Sequence, residues 1–382
     1  MTPNQKKNIA LLCISLNSGG AEKVVSLLLA KLKEDYNVSL VLFYDDIHFP
    51  IPDEVDVTLL SKKKPNRPYF LRFLDFIRFI IKYQKIIKRE NIGISISFLA
   101  FPNLINGIIS IFYNGVNTII SERGFPSDNT TSKTSLFISK LFYPIFYNKC
   151  DKLFSNSVYI NSDLKENFGI KIPMEVIYNP ITIPRQRIDS KSLNTHDPLQ
   201  IITAGTLNKR KNQIMMIRAV SLNPNNDKLS ILGNGPLKSY LYSEIEKHKL
   251  SDRVKLLGTV KNVNEYFIAS NCFILTSFTE GFPNALLEAM AIGLPCISTN
   301  CLSGPLELLN NNEEIKINEG DFYLGKFGIL INNNDHVGLR KALDYYRNNP
   351  SEREKYSKLS LQRSELYSLP VVYKKFNQFI TN

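Results

Sequence analysis

The sequence has few cysteines, and none of them forms a pair that would mark a disulfide framework or a zinc site. The five cysteines are an odd number, and no C-x-x-C motif occurs. Most lie in or beside apolar segments, such as Cys13 in IALLCI and Cys272 in NCFILTS, where cysteine usually packs as a small hydrophobe. These features argue against a disulfide-stabilised secreted domain and favour a reducing cytoplasm.

The sequence also lacks an uninterrupted apolar run of transmembrane length. Residues 92–120 carry no charge, but Pro102, Gly107, Gly115 and several asparagines break the run. The pattern predicts a strand, a helix and a strand buried in protein rather than in lipid. The basic start and short apolar run of residues 1–15 have no A-x-A-like cleavage site, so a first β-strand is expected there rather than a signal peptide.

Low-complexity tracts and short internal repeats are absent as well. Instead, short apolar runs rich in Ile, Leu and Val alternate with amphipathic or turn-flanked helical stretches. Several runs show no polar alternation, which is typical of parallel strands covered by helices on both faces. A length of 382 residues favours two domains of this kind. The predicted fold class is therefore α/β, with two Rossmann-like domains whose parallel sheets face each other across a cleft.

A polar, proline-containing segment separates the two sets of predicted strands. We predict a first domain over residues 1–180, a linker over 181–198 and a second domain over 199–364, followed by a last helix over 365–382. The runs predict seven strands in the first domain and six in the second. Such domains bind ligands at the carboxyl ends of their strands, so a shared site is expected in the cleft.

Residues 276–309, TSFTEGFPNALLEAMAIGLPCISTNCLSGPLELL, form the pattern with the clearest chemical meaning. A strand end is followed by an E-G-F-P turn, a helix predicted to begin at Asn284, and Gly293 as its left-handed cap. The turn lets backbone approach a ligand closely, and the helix start offers N–H groups and a positive dipole end to a phosphate. Glu280 in the turn and Glu288 in the helix are expected to face one cleft, where carboxylates can bind sugar hydroxyls and a ribose diol.

This segment resembles the E-x7-E motif of the retaining GT-B glycosyltransferases of family 4. Four further segments resemble motifs of that family in the same order: residues 16–23 its S-G-G-A-E-R loop, 204–212 its G-R-L-x-x-x-K-N segment, 232–236 its G-x-G-P/E turn, and 257–260 its L-G-x-V strand end. The resemblance implies the GT-B fold, in which the last helix often packs back on the first domain. It also implies sugar transfer with retention of configuration.

The S-G-G-A-E form, with residues 97–99 and 121–123, looks most like transferases that extend lipid-linked oligosaccharides with N-acetylgalactosamine, galactose or related sugars. Such enzymes serve O-antigen, capsule or glycan assembly. The resemblance therefore implies a UDP-sugar donor and an oligosaccharide or polyprenyl-diphosphate-linked acceptor. The expected location is cytoplasmic, peripheral on the inner face of the plasma membrane.

The resemblance also implies residue roles. Lys211 matches the lysine that binds the donor phosphate, Glu280 the residue that holds the donor sugar, and Glu288 the residue that bonds the ribose. Positive groups aimed at the departing diphosphate can each contribute about 3 kcal/mol. The other expected donor-binding residues are Gly19, Gly20, Gly281, Phe282, Pro283, Asn284, Asn234, Val260 and Lys261. Taken singly, a Gly-Gly pair is more often a tight turn, and a lysine in a K-R-K run is usually only solvated.

Two departures from the family pattern concern the charges around the donor. Gly205 is followed by Thr206 where the family usually has Arg, and Arg210 is expected to supply the missing charge. The family often has a His in the first domain near the sugar, and neither segment that matches this region contains one. Arg123 stands where close relatives have S-E-H, so it contacts the phosphate or acceptor, or is a surface arginine.

No D-x-D motif of the metal-binding kind stands at a strand end. Asp45-Asp46 and the acids Glu54 and Asp56 lie in the wrong region and are expected at turns and edges. We therefore predict no cofactor and no metal requirement, with the UDP-sugar as a substrate. In the simplest retaining scheme the acceptor hydroxyl attacks from the face that the phosphate leaves, and a phosphate oxygen takes the proton.

A net charge of +12 predicts an anionic partner. The charge is concentrated between residues 62 and 90, where ten Lys or Arg accompany two acids. Four of these basic residues recur at helical spacing along one stripe: Arg78, Lys82, Lys85 and Arg89. A broad apolar face is expected from Phe73, Phe76, Ile77, Ile80, Tyr83 and Ile87. Such a helix suits an anionic membrane surface or a pyrophosphate-linked acceptor; the alternative places its apolar face in the core and its basic stripe in solvent.

Other classes of protein stay open at this point. A nucleotide-sugar epimerase on the same scaffold would convert a UDP-sugar without an acceptor. A non-catalytic sugar-nucleotide-binding subunit would bind the donor without turnover. A nucleic-acid partner is not expected, since no matching motif occurs and the basic residues concentrate in one helix.

Overall fold

The structure is a computed structural model of the chain. It describes residues 6–62, 69–128, 133–195, 198–222 and 225–382, with the backbone alone for 69–72 and 133–134. The chain divides into two compact units. The first unit consists of Met1–Pro180 and Leu369–Asn382, and the second of Ile181–Ser368.

The first unit contains a seven-stranded parallel sheet with the order β3-β2-β1-β4-β5-β6-β7. Its strands are β1 (Asn8–Cys13), β2 (Asn37–Tyr44), β3 (Asp56–Ser61), β4 (Ile94–Phe98), β5 (Asn117–Glu122), β6 (Lys152–Ser155) and β7 (Met174–Val176). The central strands are buried on both faces, which explains their continuous apolar runs. The strand order reverses between β1 and β4, the place where sheets of this kind bind ligands.

The helices of the first unit cover both faces of this sheet. They are α1 (Gly20–Asp35), α2 (Tyr69–Arg89), α3 (Ala100–Phe112), α4 (Lys133–Tyr147), α5 (Val158–Phe168) and, from the chain end, α13 (Leu369–Thr381). On one face Leu11 packs with residues of α1 and α13. On the other, Leu12 packs with α2 and α3, and Leu153 with α4 and α5.

The second unit contains another seven-stranded sheet, with the order β10-β9-β8-β11-β12-β14-β13. Its strands are β8 (Gln200–Ala204), β9 (Lys228–Leu232), β10 (Val254–Gly258), β11 (Cys272–Leu275), β12 (Cys296–Thr299), β13 (Phe322–Leu324) and β14 (Ile329–Ile331). All pair in parallel except β13, which is antiparallel to β14. The prediction of six strands missed this short edge strand.

The helices of the second unit lie between and after these strands. They are α6 (Gln213–Ser221), α7 (Lys238–Lys247), α8 (Val263–Ile268), α9 (Asn284–Ile292), α10 (Pro305–Asn310), α11 (His336–Asn348) and α12 (Pro350–Glu365). Gly293 ends α9 with a φ of 96°, the left-handed conformation expected from the sequence.

The structure places the predicted linker inside the second unit. Its Ile188 N–H donates to Ile292 O at 2.8 Å, and Ser190 and Ser357 share a buried hydrogen bond of 2.8 Å. Leu193 is the last residue of a short 3₁₀ helix and is buried. The few apolar residues of this polar segment therefore pack into the core of the second unit. The polar composition of the segment did not predict this packing.

The last residues of the chain return to the first unit. Helix α13 buries Phe376 and Ile380 in the core with α1. The Tyr36 hydroxyl donates to Asn377 Oδ1 at 2.5 Å, and the Tyr373 hydroxyl donates to Asp35 at 2.6 Å. The second unit extends to Ser368, beyond the predicted end at residue 364.

The uncharged stretch of residues 92–120 forms β4, α3 and β5, which confirms the predicted strand, helix and strand. Within the described ranges, no helix combines the length and the apolar character that crossing a membrane requires.

Candidate functional site

The carboxylate of Glu280 is the centre of a charged cluster in the second unit. It lies in the loop between β11 and α9 and is only 5% exposed. Its Oε1 accepts hydrogen bonds from Lys211 Nζ and from Ser277 Oγ, each at 2.5 Å. Its Oε2 accepts from Arg210 Nη1 at 2.8 Å. Two cations thus hold one buried carboxylate, although they are 70 and 69 residues away in sequence.

The two cations are positioned by the loop after β8, which neighbours β11 in the sheet. Residues 209–211 form a 3₁₀ turn, and Asn208 Oδ1 accepts from Lys211 N at 3.0 Å. Thr276 Oγ1 donates to the carbonyl of Lys211 at 3.0 Å, and Phe278 N donates to the carbonyl of Arg210 at 2.8 Å. These hydrogen bonds therefore hold the backbone of the loop after β8 against the loop after β11.

The electrostatics of the cluster favour an anion. Burial raises the pKa of the Glu280 carboxyl, but Lys211 and Arg210 outweigh this effect, so its pKa lies below the ordinary value. Glu280 is therefore ionised at neutral pH, and the three groups together carry one positive charge. A net positive group at the carboxyl edge of a parallel sheet suits a phosphate.

Two glycines allow the loops after β8 and β9 to approach closely. A Cβ at Gly233 would lie 2.0 Å from the carbonyl oxygen of Gly205, and one at Gly235 would lie 2.4 Å from that of Leu207. Gly233 also has a φ of 122°, which only glycine adopts readily. Asn234, between these glycines, is exposed, and its carbonyl accepts from Leu207 N at 3.0 Å.

The other predicted donor-binding residues of the second unit lie at the same edge of the sheet. Gly281 is half-buried and Pro283 is buried before α9, while Asn284 and Glu288 are half-buried on that helix. Phe282 is buried, and its ring centroid lies 5.7 Å from that of Tyr367.

Residues 260 and 261 follow β10, which is an edge strand of this sheet. Val260 is half-buried and Lys261 is exposed.

Thr206, which stands where the family usually has Arg, is exposed, and its carbonyl accepts from Gln213 Nε2 at 3.0 Å. Thr206 carries no charge, whereas Arg210 brings a guanidinium to the Glu280 carboxylate.

In the first unit the Gly-Gly pair stands at the start of α1. Gly20 is the first residue of the helix, and Gly19 N donates to Asn17 Oδ1 at 3.2 Å. A Cβ at Gly19 would lie 2.1 Å from a carboxylate oxygen of Glu22. Since that carboxylate ends a flexible side chain, the contact does not by itself require glycine. Burial raises the pKa of Glu22.

Leu99 is a strained residue that the sequence analysis missed. It immediately precedes α3, as its N-cap residue, with φ 73° and ψ 162°, a region populated almost only by glycine. Its N–H donates to Ser121 O and its carbonyl accepts from Asn103 N, each at 3.0 Å. It follows β4 beside the reversal of strand order and lines a small cavity with Cys13 and Glu22. A leucine gives no sequence signal of positive φ, so only coordinates could find it.

Arg123 is buried, which rules out the interpretation as a surface arginine. Its guanidinium lies 4.9 Å from the Phe154 ring centroid and 5.4 Å from that of Phe98, and its Nη1 donates to Asn179 Oδ1 at 2.9 Å. Its Nε has no hydrogen-bond partner among the residues that the structure describes. Burial lowers its pKa to about 9, and burial raises the pKa of neighbouring Glu122 to about 7.

The basic residues singled out on α2 are all exposed, and three of them have partners. Lys82 Nζ donates to Leu60 O at 2.5 Å, Arg89 pairs with Glu90 at 2.6 Å, and Arg78 lies 3.5 Å from Asp75. The side chains concerned are Arg78, Lys82, Lys85 and Arg89. Lys63, Lys64, Arg67 and the side chain of Arg72 lie outside the described residues.

The apolar face predicted for α2 is divided in the structure. Tyr83 and Ile87 are fully buried against the sheet, whereas Phe73 and Ile77 are exposed. Each alternative therefore describes part of this face: Tyr83 and Ile87 cover β1 and β2 in the core, and Phe73 and Ile77 remain exposed.

No cluster of three His, Cys, Asp or Glu side chains that could hold a metal ion occurs in the described part of the chain.

Comparisons with known proteins connect both units to one family. "Glycosyltransferase Family 4" matches residues 18–185, and "Glycosyl transferases group 1" matches residues 184–363. A Campylobacter jejuni N-acetylgalactosamine-N,N'-diacetylbacillosaminyl-diphospho-undecaprenol 4-alpha-N-acetylgalactosaminyltransferase is 32% identical, over 94% of this chain and 98% of its own. A second C. jejuni enzyme, an alpha-1,4-N-acetyl-D-galactosaminyltransferase named for GalNAc-alpha-(1->4)-GalNAc-alpha-(1->3)-diNAcBac-PP-undecaprenol, is 26% identical over 97% of this chain and 98% of its own.

Among solved structures, Anabaena HepE in complex with UDP is 16% identical. It superposes with a TM-score of 0.75 over 98% of this chain and 99% of its own, so it supports the fold alone. The two parallel-sheet units are those of GT-B glycosyltransferases. Because the first C. jejuni relative is 32% identical along nearly its whole length, the chain belongs to the family 4 glycosyltransferases and is an enzyme.

Proposed function

We propose that this glycosyltransferase moves a hexose or N-acetylhexosamine from a UDP-sugar to a sugar hydroxyl of a lipid-linked oligosaccharide, with retention of configuration. The observation that carries the proposal is the cluster of Glu280, Lys211 and Arg210. Its buried carboxylate can bind sugar hydroxyls while its two cations face a diphosphate. Both C. jejuni relatives are named for acceptors on undecaprenol diphosphate, and HepE was solved with UDP. These names support the choice of acceptor and donor.

In this proposal Lys211 and Arg210 stabilise the charge that builds on the departing diphosphate. A preorganised positive group contributes most where charge develops in the transition state, at about 3 kcal/mol per group. Lys211 is held on both sides, by Asn208 at its N–H and by Glu280 at its ammonium. Little reorganisation is therefore needed when the bond to the sugar breaks.

The reaction balances without a further reagent. The bond between the anomeric carbon and the phosphate oxygen breaks, and the acceptor oxygen forms a bond to the same carbon from the same face. The acceptor proton passes to the departing phosphate oxygen. We propose that no metal is required, since Lys211 and Arg210 supply positive charge at the proposed phosphate position.

In the second unit, the backbone of Gly281 and the carboxylate of Glu288 are proposed to bind the donor, with Glu288 on the ribose. In the first unit, the backbone of Gly19 and Gly20 is proposed to contact the donor. Asn234 and Lys261 would border the base. On the acceptor side, exposed basic residues of α2, among them Lys85, suit an anionic membrane surface or the pyrophosphate of a lipid carrier. The proposed location is the inner face of the plasma membrane.

Donor binding and turnover test this proposal. Thermal unfolding should shift upward with one UDP-sugar in the presence of EDTA, by about 2.7 kcal/mol of stability at 100 times the dissociation constant. NMR of the product should show the anomeric configuration of the donor. Loss of the shift in EDTA would contradict metal independence, and an inverted product would contradict retention.

An epimerase on the same scaffold is the competing enzyme, and the same samples discriminate it. Incubation with the UDP-sugar alone should leave the sugar unchanged, apart from slow hydrolysis to UDP. Conversion to an isomeric UDP-sugar without an acceptor would favour the epimerase.

A further inference from the structure

Helix α4 of the first unit exposes a continuous apolar stripe. Five large side chains at positions i, i+1, i+4, i+5 and i+8 are exposed: Phe137, Ile138, Leu141, Phe142 and Ile145. Phe137 is 69% exposed, whereas Tyr143 and Tyr147 on the opposite side of the helix are buried in the core. We call the five exposed side chains the α4 stripe. The helix thus packs with one face and leaves a second apolar face open.

The apolar surface continues on the adjacent helices. Helix α3 packs between α2 and α4, and the three cover the same face of the sheet. At the end of α3, Ile111 and Phe112 are exposed, and Phe112 is 72% exposed. On α2, the exposed Phe73, Ile77 and Ile81 follow one another at a spacing of four. Exposed apolar residues gathered on one surface mark an interaction site.

The charges of this surface identify the partner. Helices α2, α3 and α4 together contain eight Lys or Arg and one acid, Asp75, which is buried. Lys140 lies within α4 and is exposed, and Lys149 follows the helix. A second copy of this chain would place one basic surface against another. An anionic lipid bilayer offers apolar contact to the stripe and opposite charge to the basic residues.

We propose that α4 is the element that inserts into the membrane, lying in the interface with its stripe among the acyl chains. The basic residues of α2 then bind lipid headgroups, since half of the apolar face of α2 is already buried in the protein. Helix α4 has 15 residues, which suits a helix in the interface plane, where the apolar face lies about 5–10 Å deep. The inference rests on the membrane association proposed above and names the helix responsible for it.

Tryptophan fluorescence tests the insertion directly, because the chain contains no tryptophan. Phe137→Trp places a single reporter on the stripe, and Leu366→Trp places one at an exposed apolar position of the second unit. With vesicles of phosphatidylcholine and phosphatidylglycerol, the emission of Phe137→Trp should shift to shorter wavelength and be quenched by brominated lipid. The emission of Leu366→Trp should change in neither respect. An unchanged Phe137→Trp spectrum, with the protein bound to the vesicles, would overturn the role of α4.

Vesicle flotation measures the contribution of the stripe to binding. The variant Phe137→Ser/Leu141→Ser should partition onto these vesicles at least about tenfold less than the wild type, since two large apolar side chains no longer enter the lipid. Leu366→Ser is the matched control and should bind as the wild type does. Circular dichroism and stabilisation by UDP should stay unchanged in both variants, which separates this inference from donor binding.

Two further outcomes would overturn the proposal. The first is undiminished flotation of the α4 variant. The second is a dimer in analytical ultracentrifugation that the α4 variant abolishes, which would assign the stripe to a second copy. If the wild type itself does not bind the vesicles while UDP still stabilises it, both the membrane association and the role of α4 fail, and the proposed donor chemistry stands.

Discussion

Two buried carboxylates stand beside arginines at the carboxyl edges of the two sheets, and their charges differ. Glu280 accepts hydrogen bonds from Lys211 and Arg210, and its pKa lies below the ordinary value. Glu122 accepts from the Tyr147 hydroxyl at 3.1 Å and from a backbone N–H at 3.3 Å, and burial raises its pKa to about 7. In the first unit the guanidinium of Arg123 bonds to Asn179 instead.

The comparison shows that burial alone does not set the charge of a carboxyl group. Both side chains are at most 5% exposed, so desolvation opposes ionisation in each. Only direct hydrogen bonds from cations reverse the balance. The second unit therefore presents a charged cluster suited to a phosphate, and the first unit presents a carboxyl whose pKa is raised by burial.

The largest effect is expected when the carboxylate of the charged cluster is removed. Glu280→Ala should lower the rate of sugar transfer at least about 100-fold with the fold intact, because the donor sugar loses its anchor and the two cations lose their position. Glu365→Ala is the control, since Glu365 pairs with Arg187 at 2.7 Å in the same unit. Near-wild-type turnover by Glu280→Ala would contradict the proposed site.

Removing either cation separates the contributions within the cluster. Lys211→Met should cost up to about 100-fold in kcat/KM. Arg210→Met should cost less, since the Lys211 side chain is 15% exposed and that of Arg210 is 44% exposed, where water screens its charge. Steady-state kinetics with the UDP-sugar that stabilises the protein in the thermal-unfolding test would measure both. The reverse order would show that Arg210 is the main phosphate ligand.

The two carboxyls should respond to pH with opposite signs. The raised pKa of Glu122 means that the folded state holds its proton more tightly, so this group lowers stability as pH rises from its ordinary value of 4.5 to about 7, by at most about 1.4 kcal/mol per pH unit. Glu122→Gln should remove that decline in urea unfolding between pH 5 and pH 7. The lowered pKa of Glu280 acts oppositely, with stability lost as pH falls below about 4.5.

A control for the pH experiment is Glu365→Gln, which changes an exposed carboxyl of the second unit. It should leave the slope of unfolding free energy against pH between pH 5 and pH 7 as in the wild type. An equal decline in wild type and Glu122→Gln would show that Glu122 is ionised in the folded protein, like Glu280.

The smallest effect concerns the strained backbone of the first unit. At Leu99, with a φ of 73°, a glycine variant should be more stable than an alanine variant by about 1 kcal/mol, because positive φ costs alanine more. At Leu141, inside α4, the order should reverse by a similar amount. Urea unfolding of the four variants measures both differences. The same order at both positions would contradict the strained conformation of Leu99.

The sequence indicated the charged residues that cluster in the second unit more clearly than the buried charged residues of the first. The E-x7-E pattern and the K-R-K run are each contained in a few neighbouring residues. The sequence alone was therefore enough to propose Glu280 and Lys211 as site residues. Arg123 was named as well, but as a ligand contact or a surface residue. Its burial between Phe98 and Phe154 depends on strands that are far apart in sequence.

The sequence by itself determined the alternation of strands and helices, the two α/β units and the family, because these depend on local periodicity and on motifs of a few residues. Only the tertiary structure decided that Arg210 reaches Glu280, that residues 181–198 belong to the second unit, and that α2 buries half of its apolar face while α4 exposes a stripe. These outcomes depend on which surfaces meet, and a pattern along one segment does not contain that information.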